Sequence, residues 1–487
     1  MAHVTADTLK DGFAGKHGLL DEEGFRRAAE ICAEMEAGEF ETVRLCFADQ
    51  HGILRGKALV AEALEGAFRN GVAMTSTLLL KDTSHRTVFD VWEADAGLGR
   101  GLMTGASDVV MIPDPRTFRA IPWSPHSALI LCDLALPDGS TLRLSPRAIL
   151  RKAVAKLNEA GFDALFGLEQ EFFVFDVTEP RLAHGDGGMP AQGPETALLA
   201  HGYQYLTEAR YDALEPVMDE IRRAALAFGL PVRSMEVEFG PSQFEFTFAP
   251  LRPMAAAETS VLFRHCVKSV AQRSGLHATF MSRPKVENGM ASGWHLHQSV
   301  QDMATGRNLF TPQAGRELTA TASAWVTGLL THAASGTLLT TPTVNGYKRY
   351  LAAQLAPDRI QWAHDNKGAM IRALIAAGDP AARIENRSPE PAANPFLAIA
   401  GQVLAGLDGI EKQLEAPAPV ETPYAGEAER LPRNLGAAIE AFAASAFWRE
   451  VLGADVTGWL TRIKRAEWDR YLADISDWEQ REYFSLF

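Results

Sequence analysis

The feature that most constrains this chain is a period of two. Four short segments alternate charged or imidazole side chains with large apolar ones: Gly167-Leu-Glu-Gln-Glu-Phe-Phe-Val-Phe-Asp176, Glu236-Val-Glu-Phe-Gly-Pro-Ser-Gln-Phe-Glu245, Gly293-Trp-His-Leu-His-Gln298 and Arg383-Ile-Glu-Asn-Arg387. Successive side chains of an extended strand point to opposite faces, so each segment can bury one face and line a cavity with the other. On that geometry Glu169 shares a face with Glu171, and His295 with His297, opposite Trp294 and Leu296. Arg383, Glu385 and Arg387 point one way, Gln243 and Glu245 share a face, and Glu238 and Glu245 flank a Gly-Pro turn.

A sheet that gathers these groups faces an electrostatic problem. Several glutamates in one cavity repel one another and lose solvation unless cations neutralise them. Oxygen-rich clusters with an occasional imidazole suit Mg²⁺ or Mn²⁺ better than Zn²⁺ or copper. Two such ions together with arginines are the usual apparatus of phosphoryl transfer. One Glu-x-Glu strand alone is more often a solvated sheet face. Four such strands in order, each with apolar alternation, point instead to a metal-dependent enzyme.

The rest of the chain supplies the frame. Residues 20–36 carry apolar positions at helical spacing, followed by strand-like runs at Thr42 to Ala48 and Lys57 to Val60 around a turn at Asp49, His51 and Gly52. Asp108 to Ile112 and His126 to Leu136 read as further strands, and Ser145-Pro146 opens a helix with a capping serine. A first unit is therefore expected over 1–140 and a second over 141–487. The second contains helices at Tyr211 to Phe228, Ala255 to Gly275 and Arg316 to Ser335, and a Pro-rich surface connection at Ala416 to Pro423. The glycine-rich stretches 97–101 and 185–188 lack the Lys-Ser/Thr of a phosphate loop and read as plain loops. The net charge of −14 carries no basic face for nucleic acid or an anionic membrane. Cys32, Cys46, Cys132 and Cys266 stand singly, without a CxxC pair, and read as reduced thiols. No apolar run approaches the roughly 18 residues of a membrane span, and a cytoplasmic protein is expected.

The same segments resemble glutamine synthetase, in order and over most of residues 100–415. Beside the strands already quoted stand Ser292-Gly-Trp-His-Leu-His-Gln-Ser299, Thr343-Val-Asn-Gly-Tyr-Lys-Arg349 and the extension Ser388-Pro-Glu-Pro-Ala-Ala-Asn-Pro395. The resemblance implies an α+β fold: an N-terminal β-grasp domain, then a catalytic domain with a curved antiparallel sheet and helices. It implies a homo-oligomer of stacked rings, a dodecamer, with active sites between subunits. Position by position, Glu171, Glu238 and Glu245 match the ligands of one metal, and Glu169, His295 and Glu385 those of the other. Glu238 is chosen over Glu236 because it stands seven residues before Glu245, which makes Glu236 a bystander. His297, Ser299, Arg372 and Arg383 match the ATP side, and Arg349, Arg387 and Gly293 the glutamate side. His297, Lys367 and Arg372 match groups that act on the transferring phosphate.

Departures from the family narrow the acceptor. Leu355 stands where ammonia-using members carry a flap glutamate, and no acid occurs between Arg349 and Asp358. Val72-Ala-Met-Thr-Ser-Thr-Leu-Leu79 stands where they carry an aspartate motif. Protonated amines need a carboxylate for binding and for deprotonation, so an uncharged, apolar amine of aniline type is favoured, then a small alkylamine. Ammonia with a relocated site (Asp82 and Asp358 are the nearest spare acids), a polyamine acceptor, and a catalytically silent scaffold are the competing readings. Asn366-Lys367 keeps a charge where the family has an arginine, and Pro380 replaces a basic residue. Glu287-Asn-Gly-Met-Ala-Ser-Gly293 is longer than the family's glutamate loop, and Tyr424 lies where some members are adenylylated, in unrelated flanking sequence.

Overall fold

The computed structural model describes residues 4–98, 103, 105–315, 317–350 and 355–487. Two sheets organise it. The first is built from β1 (Thr42–Ala48), β2 (Leu54–Val60), β3 (Val72–Thr75), β4 (Asp108–Pro113), β5 (Arg119–Ala120) and β6 (Ser127–Ala135). Its order is β2-β1-β6-β4-β3, with β5 also on β6 and the β1–β6 pair parallel. The helix Glu22–Glu36 turns Phe25, Ala28, Ile31 and Cys32 inward, as its spacing requires, and begins at Asp21, whose carboxylate caps Gly24. This is the β-grasp-type unit the resemblance implies.

The second sheet holds β7 (Phe162–Glu179), β8 (Glu195–Leu198), β9 (Val232–Val237), β10 (Gln243–Phe248), β11 (Leu276–Thr279), β12 (Trp294–Asp302), β13 (Trp362–His364), β14 (Ile371–Leu374) and β15 (Arg383–Asn386). Its path is β13-β14-β15-β12-β7-β10-β9, antiparallel throughout except for the outer β13–β14 pair. Expected elements recur with small shifts. The run expected as one helix from Arg316 is two, Ala320–Thr331 and Ala333–Thr340, broken at His332; Arg316 itself lies outside the described residues. The loop at 97–101 falls partly outside them too, and 185–188 is an exposed irregular connection. All four cysteines are free thiols.

The back face of the second sheet is a dry aromatic layer. Phe172 packs with Phe244, Phe246, Phe263 and Phe280 at ring separations of 5.1 to 5.8 Å. Each buried phenylalanine contributes about 1.5–3 kcal/mol by removal from water. Several polar groups on this face bond one another. Trp325 donates to Gln298 Oε1 at 2.9 Å, Gln298 and Asn386 both donate to Gln402 Oε1, and Ser260 donates to Gln170. Strand register is thereby fixed from behind, which sets where the charged side chains emerge in front. No described helix is long and apolar enough to cross a membrane.

The two sheets are joined by charge. Arg147, buried, bonds Asp114 and Asp133 of the first unit and Glu258 on the helix Pro253–Arg273, all at 2.7 to 3.0 Å. Removing such a cation leaves three carboxylates without their partner. Arg147→Met is expected to cost about 3 kcal/mol of stability in urea unfolding; a change below about 1 kcal/mol would show that the cluster holds nothing together.

Candidate active site

The front face of the second sheet carries the charged set in rungs. Glu236, Glu245 and Glu171 are successive cross-strand neighbours, and Glu171 faces Gly293, whose carbonyl accepts the Glu171 N–H. One rung along, Thr247, Glu169 and His295 are neighbours; one further, Gly167, His297, Glu385 and Arg372. The alternation read from the sequence thus places its glutamates, histidines and arginines on a single face. A cavity of about 210 Å³ opens there. Its walls include Glu169, Glu171, Glu236, Glu238, Glu245, His295, Arg349, Leu355, Lys367, Arg372 and Arg387.

Hydrogen bonding fixes the imidazoles. Glu169 takes His295 Nδ1 at 2.9 Å and His297 Nε2 at 2.7 Å. Arg383 Nε donates to His297 Nδ1 at 3.1 Å, so that nitrogen is the acceptor and Nε2 carries the proton. His295 spends Nδ1 on Glu169, leaving Nε2 toward Glu171 Oε1 at 3.7 Å. Gly293 makes that approach geometrically open. A Cβ there would lie 2.6 Å from His295 Nε2 and 3.2 Å from Glu171 Oε1. Its N–H donates to Glu171 Oε2 at 3.0 Å, and Gln243 donates to the same oxygen.

The carboxylates are out of balance by themselves. Burial, then the Glu238 charge, pushes Glu171 well above the usual carboxylate range, and burial with the Glu171 charge does the same to Glu245. Glu236 is raised by burial and Glu238. Glu169 is half-buried, which by itself raises it, yet the bonds from His295 and His297 bring its carboxyl below the usual range. Burial of Glu385 is likewise outweighed by Arg387, His295 and His297. Burial, then Arg387, lowers His295, keeping it neutral as a ligand must be.

Three groups of donor atoms lie close enough to share a cation: Glu169, Glu245 and His295; Glu169, His297 and Glu385; Glu236, Glu238 and Glu245. The donor set is hard oxygen with one imidazole per group or none, which fits a divalent cation such as Mg²⁺ or Mn²⁺. Glu236, set aside by the spacing argument, has a carboxylate oxygen close to those of Glu238 and Glu245, and the same period of two places it beside Glu238.

The arginines stand around this centre. Arg387 Nη1 meets Glu385 Oε1 at 2.5 Å, and Arg372 bridges Glu385 at 3.1 Å and Asp365 at 2.6 Å. Arg349, 1% exposed, donates to the carbonyls of Ser388 and Arg387. Nε of Arg349 and Nε of Arg387 are buried without a partner among the described residues. Two guanidinium groups with spare donors in one cavity suit a carboxylate substrate. Ser299 is buried two residues from His297 on the same strand, beyond the cavity walls. Leu355 is half-exposed with a φ of +58° and borders the cavity; positions 351–354 of the expected flap lie outside the described residues. The sequence reading missed Tyr205, Phe239 and Met290, which line the same cavity. No motif spacing singles them out; Tyr205 is placed by the loop at 203–206 folding back along β9, and Phe239 and Met290 lie in irregular segments.

This geometry is that of a carboxylate-lined, cation-dependent phosphoryl-transfer centre on an antiparallel sheet. Residues 143–483 match the family model described as the glutamine synthetase catalytic domain, and the chain belongs to the glutamine synthetase family. It is similar to the γ-glutamylanilide synthase of an Acinetobacter species, with 36% identity covering 97% of this chain and 99% of that one. It is 32% identical to the glutamine synthetase of Methanosarcina mazei, covering 94% and 97%. Among solved structures it is similar to apo GmaS without ligand, with a TM-score of 0.78 at 28% identity, covering 93% of this chain and 99% of that one. Enzymes of this family use ATP and divalent metal ions.

Because Glu171 and Glu245 hold protons above the ordinary carboxylate range, a divalent cation must displace them to bind. Their raised values favour the metal-free fold at low pH, and that contribution is lost as pH rises through them. Calorimetric Mn²⁺ titration in two buffers of different ionisation enthalpy is expected to show proton release, with affinity rising with pH. Heats independent of buffer would contradict the electrostatic account.

Proposed function

We propose that this protein is an ADP-forming glutamate–amine ligase whose acceptor is an uncharged, apolar amine, of aniline type or a small alkylamine, rather than ammonia. The observation that carries the reading is one cavity in which five of the proposed metal ligands (Glu169, Glu171, Glu238, Glu245 and His295), the Arg349 and Arg387 Nε atoms without a partner among the described residues, and an apolar edge all meet. A phosphoryl donor, an amino-acid carboxylate and an amine each find matching chemistry there.

In this reading Glu171, Glu238 and Glu245 hold one divalent ion and Glu169, His295 and Glu385 the other, as Mg²⁺ or Mn²⁺. When bound, the ions neutralise the carboxylates and the charge of the transferring phosphate. Arg349, Arg387 and the backbone at Gly293 grip glutamate. His297, Ser299, Arg372 and Arg383 face ATP, and Arg372, Lys367 and His297 supply positive or donor groups where charge grows on the phosphoryl oxygens. The γ-carboxylate oxygen attacks the terminal phosphorus, that O–P bond forms, and ADP leaves. The amine nitrogen then attacks the γ-carbon of γ-glutamyl phosphate. The C–N bond forms, the C–O bond to phosphate breaks, and the nitrogen gives up a proton as inorganic phosphate departs. Excluding water protects the acyl phosphate from hydrolysis.

The acceptor edge of the cavity, at Leu355, Tyr205, Phe239 and Met290, favours an apolar amine. The same reading takes 1–140 and 141–487 as the two domains of a cytoplasmic homo-oligomer, with stacked rings and sites between neighbours.

Phosphate release with Mg²⁺, ATP and glutamate is expected with aniline or isopropylamine and at most weakly with ammonia or putrescine, the product mass confirming the amide. Turnover with ammonia alone would contradict the acceptor assignment.

A further inference from the structure

One part of the cavity is organised in a way that metal and phosphate chemistry do not require. Tyr205 and Phe239 stack face to face, with ring centroids 4.4 Å apart and planes 9° from parallel. Both line the cavity, in the company of buried Met290 and across from the acid cluster. Neither ring is fully buried, so the pair is a surface of the cavity and not part of the core.

Considerable local structure holds the pair in place. Tyr203 N–H donates to the Phe239 carbonyl at 2.7 Å and Leu206 N–H to the Val237 carbonyl at 3.2 Å, strapping residues 203–206 along the end of β9. Tyr203 and Leu206 have φ of +65° and +55°, a region that side-chain-bearing residues rarely adopt. The chain before them passes so close that a Cβ at Gly202 would lie 2.7 Å from the Phe239 carbonyl oxygen. The Tyr203 hydroxyl anchors to the Asn288 carbonyl at 2.8 Å. Two strained residues flanking one aromatic side chain, with the neighbouring Tyr203 hydroxyl tied down, fix the plane of the stack.

We infer that the stacked rings of Tyr205 and Phe239, backed by Met290, form the acceptor subsite and select a flat aromatic primary amine over an alkylamine. The inference rests on the ligase reading above. A planar arylamine offers a ring face to a preformed aromatic surface, gaining area and offset stacking without ordering a flexible chain. Its nitrogen is neutral at pH 7 and carries no hydrated charge to strip. An alkylammonium could gain cation–π attraction from the same rings, but it would have to shed its proton before attack.

The test is the ratio of kcat/KM for aniline to that for isopropylamine, measured within each preparation so that partial unfolding cancels. Wild type is expected to favour aniline. Phe239→Leu keeps apolar volume but removes the ring, and is expected to lower the ratio about tenfold. Tyr205→Phe keeps the ring and removes only the hydroxyl, and is expected to change the ratio by a smaller factor. A wild-type preference for isopropylamine, or an unchanged ratio in Phe239→Leu, would overturn the inference while leaving the ligase reading in place. Failure of glutamate to elicit phosphate release with either amine would instead overturn the ligase reading.

Discussion

The mutual repulsion of buried carboxylates is the constraint on which this site depends. Glu171, Glu236, Glu238 and Glu245 crowd one end of a sheet face, and burial, then the charge of a neighbouring carboxylate, drives Glu171 and Glu245 toward the protonated form. Such a cluster persists only if something else pins its strands. The pin is behind it: the phenylalanines around Phe172 and the Trp325–Gln298–Gln402–Asn386 chain set the register of β7, β10, β12 and β15. The unfavourable front is therefore sustained by the back, and is relieved when divalent cations bind. The arrangement is a store of cation affinity.

Charge is also graded along the face. Moving from β9 toward β14, the rungs pass from glutamates alone, through glutamate with histidine, to histidine and glutamate with arginine. The acid-only end suits cations and the amino-acid side; the arginine end suits a polyanion. Arg372 and Arg387 both bond Glu385, so one buried carboxylate couples the two ends.

Much of this was legible because a period of two is a local property. Glu169, Glu171, His295, His297, Arg383, Glu385 and Arg387 were placed on one face by alternation alone, and the strands around them agree with the register observed. Glu236 was set aside on a spacing argument, although the same alternation places it beside Glu238. Tyr205, Phe239 and Met290 were not legible at all. Tyr205 reaches the cavity through a strained loop whose course is decided by backbone bonds to β9 and by the close pass at Gly202, and Phe239 and Met290 stand in irregular segments after β9 and before β12, placements that no sequence period records. Arg349 was identified from family likeness, but its burial and spare Nε follow from the carbonyls of Arg387 and Ser388, which only the folded chain brings near.

The central claim is that this face activates the γ-carboxylate of glutamate with ATP before any amine is involved. Positional isotope exchange in ATP labelled at the β,γ-bridge tests it directly, in the absence of amine. The account predicts exchange only when glutamate and a divalent cation are both present, and its loss in Arg387→Lys. Absence of exchange in the wild-type protein, or exchange that does not require glutamate, would contradict it.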